Sequence, residues 1–108
     1  MFDIEFYSTS DGSSPVIDWL ECLADVKAAS RIADRLERIG SGTPGDVRPV
    51  GDGVWEVRCH FGPGYRVYYS RVGEAVVVLL CGGGNKSTQK RDIATAKRYL
   101  ADYKGRST

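Results

Sequence analysis

The residues best suited to chemistry in this chain lie in two neighbouring stretches that alternate in the manner of β-strands. In Trp55-Glu56-Val57-Arg58-Cys59-His60, the residues Trp55, Val57 and Cys59 fall on one face and Glu56, Arg58 and His60 on the other. In the next stretch Tyr65, Val67 and Tyr69 share a face, and Arg66, Tyr68 and Ser70 take the opposite one. If the apolar sets share a core, then Arg58, His60, Arg66 and Tyr68 share the other face, in a register that needs a connection over 61–65 or a bulge. A guanidinium grips phosphate through two parallel donors and a tyrosine ring stacks on a base, so this set fits a phosphate or RNA site. It fits equally a solvated polar sheet face whose arginines pair with Glu56 and with acids on the helices.

A second candidate is Gly82-Gly83-Gly84-Asn85-Lys86-Ser87-Thr88. Strand, glycine turn and helix start form an anion-binding arrangement, because the first helical amides are free. The nucleotide-binding loop nevertheless needs glycine directly before the lysine, where Asn85 stands, and the dinucleotide pattern needs its third glycine at Ser87. What survives is a generic phosphate contact from Lys86, or a simple chain reversal. His60 is the sole histidine, and no serine sits in a nucleophile elbow, so a serine-histidine-acid triad has no place here. Cys22, Cys59 and Cys81 lack paired spacing and read as reduced, mostly buried thiols, and with one histidine they make a weak zinc set.

The elements that position these groups follow from periodicity. Phe2 to Tyr7 alternates apolar and acidic residues and reads as a half-buried strand. Ser14 and Pro15 open a helix carrying Val16, Ile17, Leu20 and Leu23, and residues 25–39 form a second helix that Gly40 stops, giving an αα-hairpin. Residues 40–53 hold five glycines and two prolines and read as a long crossover loop. Strands over 55–60, 65–72 and 74–81 form an antiparallel meander that Gly82-Gly83-Gly84 ends. Ser87 or Thr88 then caps a last helix with Ile93, Ala96, Leu100 and Tyr103 on its apolar side. The expected order is β-α-α-β-β-β-α, one α+β domain over residues 1–108.

Composition excludes other classes. The chain has 108 residues, 42% hydrophobic and 27% charged, which suits one soluble domain. The apolar run Ala75 to Cys81 is far short of the ~20 residues a membrane span needs, and the acidic start lacks the basic region of a signal peptide. Net charge is +1, but it is unevenly spread. Residues 1–25 hold six acids and no base, whereas residues 86–106 hold seven bases against Asp92 and Asp102. That basic end is either a footprint for phosphates or a solvated helix.

Gly53 to Tyr69, with its Phe61-Gly62-Pro63-Gly64-Tyr65-Arg66-Val67-Tyr68 block, and Leu79 to Ile93, with Gly83-Gly84-Asn85-Lys86-Ser87-Thr88-Gln89-Lys90-Arg91-Asp92-Ile93, together resemble the addiction-module killer proteins. These are the phage Gp49-like and HigB-like branch of the RelE/ParE toxin superfamily. The resemblance spans nearly the whole chain. It implies a small sheet with helices packed on one side. It also implies the toxin half of a type II toxin–antitoxin pair, acting in the cytoplasm with a cognate antitoxin, often a helix-turn-helix DNA-binding protein. RelE-like members cut mRNA on the ribosome without a metal or other cofactor, turning the 2′-hydroxyl on the adjacent phosphate. By this resemblance Arg66 matches the sheet arginine that stabilises the phosphate, and Arg58 matches a basic strand residue that stabilises charge, since an arginine stays protonated. Lys86 falls near the basic residues after the glycine turn, and Lys90 and Arg91 are further RNA contacts. Where RelE-like toxins carry a tyrosine early in the last helix, this chain reads Lys90-Arg91-Asp92-Ile93, so acid–base work falls to His60, Tyr68 or Asp92.

The leading expectation is therefore a ribosome-dependent mRNA endoribonuclease. The alternatives are a ParE-like toxin that poisons gyrase by binding, and an inactive module that only binds its antitoxin.

Overall fold

The computed structural model describes residues 2–106; Met1, Ser107 and Thr108 of the expected domain lie outside the described residues. The alternating N-terminal segment forms strand β1, Asp3–Phe6. Helix α1, Pro15–Cys22, opens on proline, whose fixed φ suits a first turn. Ser14 stands at its N-cap, yet the hydroxyl makes no capping bond. Helix α2, Val26–Gly40, is capped by Asp25, whose carboxylate accepts from the Ala28 amide at 3.0 Å. The two helices follow one another across residues 23–25 and pack on the same face of the sheet. Gly40 does not stop α2. It is still helical, and a Cβ there would stand 2.7 Å from Ile4 Cδ1, so it is glycine for the sake of close packing. The chain turns two residues later, at Gly42, with φ +89°.

The expected loop over 40–53 contains a strand, β2, Val47–Gly51. It is followed by β3, Val54–Arg58, β4, Arg66–Val72, and β5, Val76–Gly83. Pro49 is tolerated in β2 because this strand lies at the sheet edge. The turn between β2 and β3 puts Asp52 at φ +55° between Gly51 and Gly53, both also left-handed. After β5, one turn of 3-10 helix, Lys86–Thr88, leads into helix α3, Gln89–Arg106. Asn85, rather than Ser87 or Thr88, is the cap, accepting from the Ser87 amide at 2.9 Å.

The sheet order is β1-β5-β4-β3-β2. Strands β2 to β5 are successively antiparallel, but β1 pairs parallel to β5, with Asp3 opposite Val76 and Phe6 opposite Leu79. The sheet is thus mixed, and the element order carries one strand more than expected. Helices cover both faces, not one. Between the sheet and α1 and α2 lies a core built on Val16, Ile32, Leu36, Val57, Val67 and Leu79. Between the sheet and α3 lies a second core with Val54, Tyr68, Val78, Leu80, Ala96 and Leu100. Strand β5 feeds both, which explains why it is apolar on both faces.

Helix α3 is tied down at its far end. Tyr7 stacks on Tyr99 with ring centroids 4.7 Å apart, its hydroxyl donates to Asp102 at 2.5 Å, and that of Tyr103 donates to Glu5 at 2.5 Å. Part of the C-terminal basic run is neutralised locally, Lys97 by Asp52 and Arg106 by Asp102. None of the helices among the described residues is long and apolar enough to cross a membrane.

Strand β5 ends inside the glycine triplet, two residues later than expected, with Gly82 and Gly83 as its last residues. They admit side chains from opposite sides: a Cβ on Gly82 would overlap the Trp19 ring of α1, and one on Gly83 would overlap the Asp92 carboxylate of α3. Gly82→Ala should therefore cost about 1–3 kcal/mol by overpacking, measured by urea unfolding. A neutral result would contradict this seating of Trp19. The thiols differ in access: Cys22 is exposed, Cys59 and Cys81 are buried, and burial pushes the Cys81 thiol up to about 12. A thiol reagent should titrate Cys22 rapidly in the native protein, and Cys59 and Cys81 only after unfolding.

Candidate active site

The site grows out of cross-strand register. Arg48 on β2 is paired with Glu56 on β3, Glu56 with Tyr68 on β4, and Tyr68 with Cys81 on β5. Arg58 is paired with Arg66, which is paired with Gly83. Paired residues point to the same face, so these two rows lie on the α3 side of the sheet. The expected facial sets are therefore met within the strands, with Arg58 opposite Arg66, while His60 lies beyond the end of β3. The connection runs from Cys59 to Tyr65 and closes with the Cys59 amide donating to the Tyr65 carbonyl at 2.9 Å.

Glu56 is the organising residue, and it is completely buried. A carboxylate out of water is costly unless its oxygens are satisfied. Here Oε1 accepts from Arg48 Nε at 3.1 Å and lies 3.9 Å from Arg58 Nε. Oε2 accepts from the Tyr68 hydroxyl at 3.0 Å and from Gln89 Nε2 at 2.8 Å, and lies 3.8 Å from Arg66 Nε. One anion thus gathers three cations, leaving an excess of positive charge. Burial, followed by the adjacent Glu56 charge, pushes the Tyr68 hydroxyl far up, so it remains a donor.

Two of these cations, Arg58 and Arg66, line an open cleft of about 370 Å³ formed by the β3–β4 connection. The Arg66 side chain is only 7% exposed. Its Nη1 donates to the Gly64 carbonyl at 3.2 Å, while Nε is buried without a hydrogen-bond acceptor. Arg58 is more open, at 39%. His60 lines the same cleft, and its Nε2 is paired with the Asp46 carboxylate.

Of the residues singled out from sequence, the structure thus brings Arg58, His60 and Arg66 to one cleft. Tyr68 lies beneath them, and its role as a base-stacking residue is corrected: its ring is fully buried under α3 and has no open face. Lys86, Lys90 and Arg91 are exposed at the start of α3 and do not line the cleft. Arg91 lies 4.0 Å from Asp92, whose other oxygen accepts from Thr88 at 2.7 Å. Sequence reasoning passed over two contributors, Arg48 and Gln89, and it read Glu56 as an arginine partner on a solvated face, whereas Glu56 is buried. Only Glu56 left a signal, because alternation already put it on the arginine face.

This geometry, a sheet carrying a buried carboxylate that gathers arginines under a C-terminal helix, can be set beside known proteins. The sequence matches the family described as "Phage derived protein Gp49-like" over residues 18–101. The chain belongs to that family. Gp49-like proteins are associated with addiction-module killer proteins, and such a toxin implies an antitoxin partner. The matched span of this Gp49-like chain contains Arg48, Glu56, Arg58, Arg66, Tyr68 and Gln89, the whole of the cluster. An uncharacterised protein of Haemophilus influenzae is 44% identical over 79 residues, 73% of this chain and 79% of the relative.

Proposed function

We propose that this chain is the toxin of a type II toxin–antitoxin pair and a cytoplasmic endoribonuclease that cuts mRNA on the ribosome, with an antitoxin of the helix-turn-helix DNA-binding kind. The observation that carries this reading is that Arg58 and Arg66, gathered with Arg48 around the single buried carboxylate of Glu56, both line one open cleft. A phosphodiester entering the cleft supplies the missing anion.

In the proposed reaction the 2′-oxygen attacks the adjacent phosphorus and the bond to the 5′-oxygen breaks, leaving a 2′,3′-cyclic phosphate and a 5′-hydroxyl. Charge grows on the phosphoryl oxygens of the pentacoordinate state. Arg66, whose Nε faces Glu56 at 3.8 Å without a hydrogen bond, and Arg58 answer that charge from fixed positions, which is where preorganised donors act most strongly. His60 exchanges the proton. With Nε2–H given to Asp46, Nδ1 carries the free lone pair, and the carboxylate orients the ring. Glu56, Tyr68 and Gln89 are positioning residues. Lys86, Lys90 and Arg91, away from the cleft at the start of α3, supply a diffuse positive field.

Purified chain added to a reconstituted translation reaction should stop protein synthesis and leave gyrase supercoiling untouched. Inhibited supercoiling with normal synthesis would replace the nuclease reading with the gyrase one.

A further inference from the structure

A second cleft adjoins the first on the opposite side of the β3–β4 connection. It measures about 280 Å³ and is lined by Arg31, Asp34, Arg35 and Arg38 of α2 together with His60 and Phe61. His60 and Phe61 line both clefts, so the two adjoin across a shared wall. The spacing of three and four residues places the arginines on one face of the helix, about one 5.4 Å turn apart. Among the described residues none of the three is paired with a carboxylate, although Asp34 stands within the groove.

The groove is also shaped. The Arg31 guanidinium sits 4.0 Å over the Phe61 ring, a flat platform of the kind on which bases stack. The Arg35 guanidinium is held by a bond from Nη2 to the Pro44 carbonyl at 3.1 Å, and its Nε is buried without a partner. Room for it depends on Gly45, at φ +83°, where a Cβ would come within 2.9 Å of Nη2.

We infer that this groove is a second subsite for single-stranded RNA, in which Arg31, Arg35 and Arg38 carry backbone phosphates beyond the one held at Arg58 and Arg66. The inference rests on the nuclease reading above and extends it. A strand leaving the first cleft passes His60, meets the Phe61–Arg31 platform, and runs along α2 over cations spaced close to successive phosphates of an extended strand. An acidic protein segment would meet the same charges, but the adjoining phosphodiester cleft and the aromatic platform favour RNA.

The test uses the full chain and 2′-O-methyl RNA, which lacks the attacking hydroxyl. Binding is followed by fluorescence anisotropy between about 50 and 200 mM salt, with an oligonucleotide of about ten residues and with a trinucleotide. In R31Q/R38Q, the long probe should bind roughly tenfold more weakly at the lower salt, and its logarithmic salt slope should fall by about 1.4. Trinucleotide binding should stay within about twofold. Both positions are exposed, and R38Q alone is the second variant, expected to lower the slope by about 0.7. An unchanged slope, with wild-type chain binding the long probe, overturns the subsite and leaves the nuclease reading standing. Wild-type chain that binds neither probe overturns the subsite, while the nuclease reading stands or falls separately on cleavage in the presence of ribosomes. Displacement of the long probe by polyglutamate of equal charge as readily as by RNA overturns the assignment to RNA in favour of an acidic protein.

Discussion

Arg66→Ala lowers single-turnover cleavage of ribosome-bound mRNA by about 10²–10³-fold, the scale of losing one preorganised donor to a developing oxyanion. The reason is local. Arg66 lies at the end of β4, nearly buried, with one nitrogen fixed to Gly64 and another left without an acceptor. Such a group gains its best acceptor when phosphoryl charge appears. The chain should stay folded, because Glu56 keeps Arg48, Tyr68 and Gln89 as hydrogen-bond donors. Arg66→Lys returns the charge without the planar fork and should fall between the two. A thermal melt verifies folding, and undiminished cleavage by a folded Arg66→Ala chain would remove Arg66 from the mechanism.

Glu56→Ala acts on stability first. Removing one partner of a buried ion cluster leaves the others uncompensated and costs about 3–5 kcal/mol. Arg66 is the residue left exposed to that cost, since it cannot turn to water, whereas Arg48 and Arg58 are more open and relax outward. Glu56→Gln keeps an acceptor for Tyr68 and should be milder, but without its charge the arginines lose their common anchor and cleavage still falls. Urea unfolding of both variants measures the effect. A loss below about 1 kcal/mol for Glu56→Ala would mean that the cluster is not what holds the cleft together.

Much of this arrangement was legible in the sequence because a strand has a period of two. Alternation through Trp55–His60 and Tyr65–Ser70 assigns every side chain to a face without any knowledge of partners. The facial sets therefore hold within the strands, where Arg58 stands opposite Arg66. Direction and neighbourhood are another matter. Nothing in Asp3–Phe6 specifies that it pairs parallel to β5, a contact across more than seventy residues. Strand β2 was hidden behind Pro49 and the glycines around it, although Asp52-Gly53 is itself a hairpin signal of the kind that marks a strand on either side.

The site residues follow the same division. Arg58 and Arg66 were found by type and alternation. The burial of Tyr68 was not, because it depends on α3 covering a face that looks polar. That face can be covered because Glu56 offsets part of its charge from within and is itself satisfied by Gln89 from α3. A sequence shows the charges at Glu56, Arg58 and Arg66 but not that they converge on one buried carboxylate. The glycine triplet misleads for a related reason. Two of its members are glycine to seat Trp19 and Asp92, which local turn chemistry does not reveal.

The central claim is that this fold cuts mRNA on the ribosome through its arginine cleft. The most direct measurement maps mRNA 5′ ends by primer extension in a reconstituted translation reaction, with wild-type chain and Arg66→Ala, and with and without ribosomes. The account predicts new ends within translated codons for wild-type chain only when ribosomes are present, and none for Arg66→Ala. Intact mRNA in the presence of folded wild-type chain and active ribosomes would contradict it.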